Sequence, residues 1–321
     1  MSMNKFTLIA VSFLFAIFIC TNCNKNEPNS NEEFVGIEDI SFENYPKVDG
    51  STSTQALNMM VACKLLGVQY KWMTLVEEYF VQPYPLTLQL SDFLNKHIML
   101  SQTHGAFINL INGSADIILT HRTISPDEKT YADNRGVTLI ETPIALDAFV
   151  FVVNKDNPIK SLKVNEVQKI YTEEITNWSK VGGNNAEIKV FTRPRNSGSE
   201  EVFRELVMKG LEPSNFPESA IGSMAWVFSE VKNDVNSICY TFNNYKDVIA
   251  RTPDEIVPKI AINNVFPDDE TVKKGTYPFI AKVYVAIRSD INYNSMTYRL
   301  YEWLQSENAK STIIECGFIP K

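Results

Sequence analysis

The sequence contains few of the residues on which metal centres, disulfide frameworks and nucleic-acid interfaces depend. Three of its 321 residues are histidine and five are cysteine. The cysteines of the main body, Cys63, Cys239 and Cys316, are odd in number and far apart, which predicts neither a disulfide framework nor a metal site. The formal net charge is −8, whereas a nucleic-acid partner would require a basic face. The composition therefore predicts no metal, no cofactor and no nucleic-acid partner.

No apolar run reaches the roughly 20 residues that are needed to span a membrane. The stretch from Phe6 to Ile19 follows Lys5 and has about 14 residues, within the range of roughly 7–15 that is usual for the apolar region of a secretory signal. A buried helix or a true anchor helix is the alternative. Because the sequence turns sharply polar after Cys23, we predict a signal peptide.

A cysteine directly after the apolar stretch is typical of bacterial lipoproteins. We predict a lipoprotein signal peptide over residues 1–23 and acylation of Cys23, which would hold the protein at a membrane surface through its lipid. The residues before Cys23 depart from the usual small-residue motif, so Cys20 is a second candidate, and ordinary cleavage that leaves a free thiol is the alternative. Residues 24–44 begin with a polar stretch that lacks aromatic residues and are predicted to form a flexible tether.

The main body, about 275 residues, is long enough for two α/β domains or one large one. It repeats one pattern, in which a strand-like run ends in small hydroxyl or glycine residues and an amphipathic helix follows. The three occurrences are Val48–Thr54 before a helix over 55–66, His97–Gly105 before a helix over 106–112, and Glu187–Ser199 before a helix over 200–209. A glycine follows each helix and predicts its end, at Gly67, Gly113 and Gly210.

These junctions predict a site for a small anion. A helix N-terminus offers backbone N–H groups without intrahelical partners and the positive end of the helix dipole, and small residues let an anion approach them. Ordinary N-capping is the alternative for any single junction. Arg193, at the end of the third strand, can direct two N–H donors at a tetrahedral anion, although an ion pair with Glu200 or Glu201 is also open. No Gly-Lys-Ser/Thr ending is present, which excludes a P-loop.

Four segments resemble the phosphate-binding proteins of ABC transporters, the PstS-like family of periplasmic substrate-binding proteins. These segments are Pro143–Pro158, with its long apolar run; Val167–Gly183, which contains Ile-Thr-Asn-Trp-Ser-Lys-Val-Gly-Gly; Arg193–Ser199, with the sequence Arg-Pro-Arg-Asn-Ser-Gly-Ser; and Gly275–Pro278. The Asn-Trp turn combined with the Arg…Ser-Gly-Ser turn makes the resemblance specific. It covers roughly residues 46 to 316.

The resemblance implies an α/β protein with the two-lobed periplasmic-binding-protein fold (class II type), in which mixed sheets are flanked by helices and a ligand cleft lies between the lobes. Lobe 1 would comprise residues 45–144 plus 264–321, and lobe 2 residues 145–263. The ligand would lie beyond the carboxyl ends of the strands. The function implied is that of a monomeric, lipid-anchored protein of the cell envelope, facing the periplasm or the exterior, which delivers inorganic phosphate to an ABC-transporter permease. A sensor or scaffold lipoprotein that binds another oxyanion such as sulfate is the alternative.

The resemblance also implies the ligand-binding residues. Carried over by position, they are Ser51, Thr52, Thr103, Arg193, Ser197, Gly198 and Ser199, together with His121. His121 stands where the family has an aspartate that accepts the proton of hydrogen phosphate and repels sulfate. A neutral histidine or a carbonyl would have to replace that acceptor, and a histidine would make selectivity sensitive to pH; alternatively, His121 points away and is structural.

Two other departures from the family concern Arg195 and Cys239. Arg195 stands where an acidic residue is frequent, and either adds positive charge to the mouth of the cleft or lies at the surface. Cys239 replaces a glycine, which we interpret as packing. An enzyme would need a nucleophile such as Ser197 or Ser199 with His121 as its base, but the sequence positions no acid to orient the imidazole and no nucleophile elbow. We therefore predict a binding protein and not an enzyme.

Overall fold

The computed structural model describes residues 34–74, 81–86, 90–216 and 224–321. The predicted signal peptide, Cys20 and Cys23 lie outside the described residues. Residues 35–44, the last part of the predicted tether, pack on the body: Ile37 and Ile40 contact the core, and Trp303 Nε1 donates to the Val35 carbonyl at 2.9 Å. None of the described helices combines the length and the apolar character that crossing a membrane requires.

Eleven strands are present in the described residues, most of them in one mixed sheet. In chain order they are β1 Val48–Gly50, β2 Tyr70–Thr74, β3 Val81–Pro85, β4 Ile117–Thr120, β5 Leu139–Val153, β6 Ser161–Leu162, β7 Lys189–Val190, β8 Ser237–Phe242, β9 Ala261–Ile262, β10 Ile280–Arg288 and β11 Ile319–Pro320. The large sheet has the order β1-β4-β10-β5-β8-β7, with β11 beside β5. β1 with β4 and β7 with β8 are parallel pairs, whereas β10 runs antiparallel to both β4 and β5, and β5 runs antiparallel to β8. Two small sheets, β2-β3 and β6-β9, complete the set.

Strand β5 joins the two halves of the large sheet. Residues 139–148 pair with β10, and residues 149–153 pair with β8. The second half is fully buried, as expected for a strand covered on both faces, which reads as a continuous apolar run. Val35–Lys321 form one unit, so the lobe boundaries 45–144 with 264–321 and 145–263 stay a prediction.

The described helices flank these sheets. They are α1 Gln55–Leu65, α2 Leu90–His97, α3 Gln102–Asn112, α4 Pro126–Asp133, α5 Val164–Tyr171, α6 Gly198–Val202, α7 Trp226–Asn233, α8 Asp269–Lys273, α9 Met296–Trp303 and α10 Glu307–Glu315. Short 3-10 turns occur at Thr52–Thr54 and Trp178–Val181, and π turns at Phe203–Met208, which continues α6, and Tyr245–Ile249.

The three predicted junctions are present, with two differences. α1 begins at Gln55 as predicted, but α3 begins four residues before Ala106 and α6 two residues before Glu200. The strand-like run predicted at the start of His97–Gly105 does not form a strand: α2 extends to His97, and Ile98 forms a single bridge, to Val48. Gly67, Gly113 and Gly210 have φ of 66°, 75° and 91°, so each helix or turn ends where a left-handed residue is required.

An aromatic cluster beside β5 sets the position of the third junction. Phe149, Phe151, Phe203 and Tyr240 are all buried, and the rings of Phe203 and Tyr240 stack with their centroids 4.5 Å apart. This stacking fixes the Tyr240 hydroxyl, which accepts a hydrogen bond from the backbone N–H of Arg193 at 3.0 Å. The hydrophobic core of this region therefore positions the arginine that the sequence singles out.

Candidate functional site

A small cavity lies where the three predicted junctions meet. Its lining is Ser51, Thr52 and Ser53 from the first junction, Gln102 and Thr103 from the second, Arg193, Ser197, Gly198 and Ser199 from the third, and Met224 and Phe242. The volume open to the centre of a water-sized sphere is about 30 Å³, and a single water needs roughly 10–15 Å³ by the same measure. The cavity therefore has room for a few waters or for one small ion.

The first junction is held at the end of β1 by tight backbone packing. The Ser51 N–H donates to the Leu119 carbonyl at 3.2 Å, and the Thr54 N–H donates to the Ser51 carbonyl at 3.0 Å. A Cβ at Gly50 would lie 2.7 Å from the Leu119 carbonyl oxygen, so only glycine fits. Among the described residues, no acceptor contacts the backbone N–H groups of Thr52 and Ser53, and both residues line the cavity.

The second junction is tied to the first through a buried carboxylate. Asp49 Oδ1 accepts the backbone N–H groups of Gly50 at 2.8 Å and Ser101 at 2.9 Å, while Asn109 Nδ2 donates to Asp49 Oδ2 at 2.8 Å. Gln102, the first residue of α3, has φ of 60°. A non-glycine residue in this region costs on the order of 1–3 kcal/mol, and such strain clusters at ligand sites. The start of α3 is therefore held in a strained conformation at the cavity.

The third junction approaches the second so closely that a side chain at residue 198 would not fit. A Cβ on Gly198 would lie 2.4 Å from Thr103 Oγ1. Ser197 caps α6, since its Oγ accepts the Glu200 N–H at 3.2 Å. In the described part of the chain no acceptor contacts the backbone N–H groups of Gly198 and Ser199. The first turn of α6 thus presents two further donors at the cavity.

Arg193 supplies the positive charge of the site. Its side chain is buried, at 4% relative exposure. Burial is the main influence on its guanidinium and lowers the pKa from the ordinary value, while the neighbouring Cys239, Tyr240, Tyr245 and Glu200 act in the opposite direction. Arginine nevertheless remains charged in proteins. Within the described residues no aspartate or glutamate lines the cavity, so the lining combines one cation with hydroxyl and backbone donors, which suits an anion.

Seven of the eight predicted ligand residues line the cavity, and His121 does not. Its ring is buried behind Ser53 and Phe242: Nδ1 lies 2.7 Å from Ser53 Oγ, and the ring stacks on Phe242 with centroids 4.0 Å apart. The direct contact predicted for His121 does not fit this placement, because Ser53 and Phe242 separate its ring from the cavity. Arg195 is exposed and outside the lining, in agreement with its surface interpretation.

An acid that no sequence pattern assigned to the site lies beside this histidine. Asp147 Oδ2 lies 3.3 Å from His121 Nε2. The available signal was a single carboxylate in the apolar stretch Ile144–Val153, where a buried strand would otherwise be hydrophobic. Four lining residues are absent from the predicted set: Ser53, Gln102, Met224 and Phe242. Ser53 follows two predicted hydroxyl residues, but the other three positions carried no local signal.

Comparisons with known proteins agree with this architecture. Residues 41–308 match the family model of the PBP superfamily domain. The chain belongs to the PBP superfamily. The same fold is found in a putative phosphate ABC transporter substrate-binding protein from Clostridium perfringens, which was solved with bound phosphate. The two structures give a TM-score of 0.63 and 22% identity over 87% of this chain and 100% of that one. An ABC-type phosphate transport receptor from Vibrio cholerae gives a TM-score of 0.61 and 23% identity over 85% of this chain and 98% of that one.

The amino-acid sequence is also similar to those of known proteins. The phosphate-binding protein PstS of Bacillus subtilis is 21% identical over 324 residues, 100% of this chain and 95% of that protein. Protein SphX of Synechococcus elongatus is 26% identical over 235 residues, 71% of this chain and 69% of that protein. The predicted family resemblance and the α/β periplasmic-binding-protein fold are therefore confirmed.

Proposed function

We propose that this protein is an extracytoplasmic substrate-binding protein that captures inorganic phosphate for uptake by an ABC transporter. The observation that carries the proposal is the convergence of three helix starts and one buried arginine on a cavity the size of a small ion. Relatives named as phosphate-binding proteins, and a similar structure solved with phosphate, support this ligand. Membership of a family of substrate-binding proteins favours binding without catalysis.

The physical basis of binding is the replacement of water around a dehydrated anion. Each helix start contributes backbone N–H groups and the positive end of its dipole, and the hydroxyls around them add donors. Arg193 supplies a full charge in a buried setting, where charge-assisted hydrogen bonds are stronger than in water. Since the net charge of the whole chain is −8, these local donors must hold the anion against the general field of the protein.

The finer parts of the proposal concern the envelope and the lobes. We propose that residues 1–23 are a lipoprotein signal peptide, that Cys23 is acylated, and that the protein faces the periplasm or the exterior as a monomer. Lobe 1 would comprise 45–144 plus 264–321, and lobe 2 145–263. The change of partner within β5, from β10 to β8 after residue 148, supports a lobe boundary close to the proposed one.

Isothermal titration calorimetry on a chain that begins at Val35 tests the proposal, after denaturation and refolding to remove any retained ligand. We expect phosphate to bind, and Arg193→Ala to weaken binding by about 30- to 4000-fold, because loss of one partner from a buried, hydrogen-bonded charge pair costs about 2–5 kcal/mol. Arg195→Ala is the matched control, since Arg195 is exposed outside the lining. Equal affinity of the two variants, with intact thermal unfolding, would exclude the role given to Arg193.

A sensor or scaffold lipoprotein that binds another oxyanion such as sulfate remains a second candidate. The observation that favours it is the lining itself, which contains no carboxylate among the described residues to repel a fully ionised anion. Competition between phosphate and sulfate in the same calorimeter distinguishes the two ligands. Preference for sulfate would exclude phosphate as the main ligand and favour the second candidate.

A further inference from the structure

We infer that Ser53, His121 and Asp147 form a buried relay that presents Ser53 Oγ to the ligand as a hydrogen-bond acceptor, so that the site prefers an oxyanion that carries a proton. The inference rests on the proposed function and specifies how that site would choose its ligand. Hydrogen phosphate carries a proton that needs an acceptor, whereas sulfate at neutral pH carries none. A lining built only of donors would satisfy sulfate better than hydrogen phosphate.

The relay is a continuous chain of polar contacts away from solvent. Ser53 Oγ lies 2.7 Å from His121 Nδ1, and His121 Nε2 lies 3.3 Å from Asp147 Oδ2. The three residues are 3%, 2% and 4% exposed. Of the three, Ser53 lines the cavity, so the relay reaches the ligand through the serine hydroxyl.

The carboxylate end fixes the direction of every hydrogen bond in the relay. Asp147 Oδ1 accepts the backbone N–H groups of Ala148 at 2.8 Å and Asn244 at 3.1 Å. Its other oxygen can only accept, so an imidazole with a single N–H carries that hydrogen on Nε2 of His121. Nδ1 then carries a lone pair, and the Ser53 O–H must donate to it.

The serine oxygen is thereby left as an acceptor. Its single hydrogen is directed at His121, away from the cavity. Ser53 Oγ also lies 2.9 Å from Ser51 Oγ, whose hydroxyl lies 3.1 Å from Thr54 Oγ1 as well. Because the Ser53 hydrogen is already used, Ser53 Oγ can only accept in the first contact. At least one acceptor position therefore remains on Ser53 Oγ, in a lining whose backbone N–H groups and Arg193 guanidinium donate.

The surroundings keep the imidazole in this orientation. Its ring stacks on Phe242, with ring centroids 4.0 Å apart, and its centroid lies 5.6 Å from that of the Phe318 ring. These rings restrict rotation about the side-chain torsions and keep water from the relay. Asp147 is the charged group that contacts the imidazole among the described residues. The relay thus replaces the direct carboxylate acceptor that the sequence comparison leads one to expect at residue 121.

Asp147→Asn is the decisive variant because it is isosteric. The asparagine oxygen can still accept from Ala148 and Asn244, but its amide N–H₂ would face His121 Nε2 and favour the opposite tautomer. Nδ1–H would then donate to Ser53, and the Ser53 O–H would turn towards the ligand as a donor. We expect the ratio of phosphate to sulfate affinity to fall by about 10- to 150-fold, the range for one hydrogen bond to a charged group.

Calorimetry with inorganic phosphate and sulfate is performed first on the unaltered chain. Binding of phosphate with discrimination against sulfate is the expected result. If neither anion binds, the proposed function and the relay both fail; if both bind equally, oxyanion binding stands and the relay is overturned. Asp147→Asn is then compared with Ser199→Ala, a lining hydroxyl outside the relay, which should weaken both anions and leave their ratio unchanged.

Ser53→Ala keeps the inference testable if the asparagine variant does not fold. It removes the acceptor itself and should lower the same ratio by a similar factor, with phosphate losing affinity and sulfate losing little. If the ratio of phosphate to sulfate affinity is unchanged in a folded variant, whether Asp147→Asn or Ser53→Ala, the relay is structural and does not accept the proton of the ligand.

Discussion

Replacing Gly198 with alanine tests whether the site depends on the close approach of α6 to α3. The added Cβ would lie 2.4 Å from Thr103 Oγ1, whereas ordinary contacts of a Cβ begin at 3.4 Å. Threonine is stiff about its first torsion, and its place in the first turn of α3 restricts it further. The two helix starts must therefore separate by about 1 Å, which follows from the difference between those distances.

The expected cost of this separation lies mainly in ligand affinity. Overpacking of a well-fitted contact costs about 1–3 kcal/mol, which corresponds to roughly 5- to 150-fold in affinity. Because the ligand needs the donors of both helix starts at once, it must bring them back together against the misfit. Without ligand the two starts can relax apart, so the free energy of unfolding should change less than the binding free energy.

A double-mutant cycle with Thr103→Ala identifies the contact. Removal of Oγ1 leaves the Thr103 Cβ at 3.4 Å from the new methyl group, an ordinary contact, so Gly198→Ala should cost little in that background. Calorimetry with phosphate and thermal unfolding are measured for all four chains. If Gly198→Ala weakens binding equally in both backgrounds, with coupling below about 0.5 kcal/mol, the close approach does not explain the glycine.

Gly183→Ala is the matched control for this experiment. Its Cβ would lie 2.8 Å from Trp178 Cβ, so it introduces a similar misfit, but neither residue lines the cavity. We expect this variant to lower the free energy of unfolding and to leave phosphate affinity unchanged. A loss of affinity at Gly183 would mean that any local misfit disturbs the site, and the argument from Gly198 would fail.

Three further predictions concern the body around the site. Burial raises the pKa of Cys63 and of Cys239 to about 12. In a folded chain beginning at Val35, no thiol should therefore react with a disulfide reagent at mildly alkaline pH. After denaturation, all of its thiols should react. Glu128 accepts two hydrogen bonds of 2.7 Å from the buried Arg122 guanidinium, and Glu128→Gln should lower the urea-derived free energy of unfolding by about 3–5 kcal/mol, whereas Lys129→Ala, in an exposed pair, should change it little. Burial raises the pKa of Glu200 above its ordinary 4.5, so the folded chain binds the carboxyl proton more tightly than the unfolded chain does. The free energy of unfolding should therefore fall as pH rises from 4.5 through the raised pKa. Glu200→Gln should reduce this fall, measured by urea unfolding between pH 4.5 and neutrality.

The local chemistry of the site follows from short stretches of the amino-acid sequence. Small hydroxyl residues and glycines before amphipathic stretches specify helix starts with open N–H groups, because capping and left-handed helix ends depend on residues only a few positions apart. The same reason made three other features predictable: Arg193 at a strand end, the glycines after the helices, and the specific turn sequences. Seven of the eight predicted ligand residues lie in the lining on this basis.

How these helix starts combine into one cavity depends on contacts between distant elements of the fold. Ser51, Thr103 and Ser197 are far apart in the chain, and only the pairing of β1 with β4 and the packing of α6 against α3 bring their helix starts to one cavity. The fold also brings His121 into contact with Ser53 and Asp147. No local sequence pattern reveals which carboxylate a buried imidazole contacts across a sheet. The physical reason is that helix ends are set by near neighbours in sequence, whereas hydrogen bonds between elements depend on strand register and core packing, which no short stretch of sequence encodes.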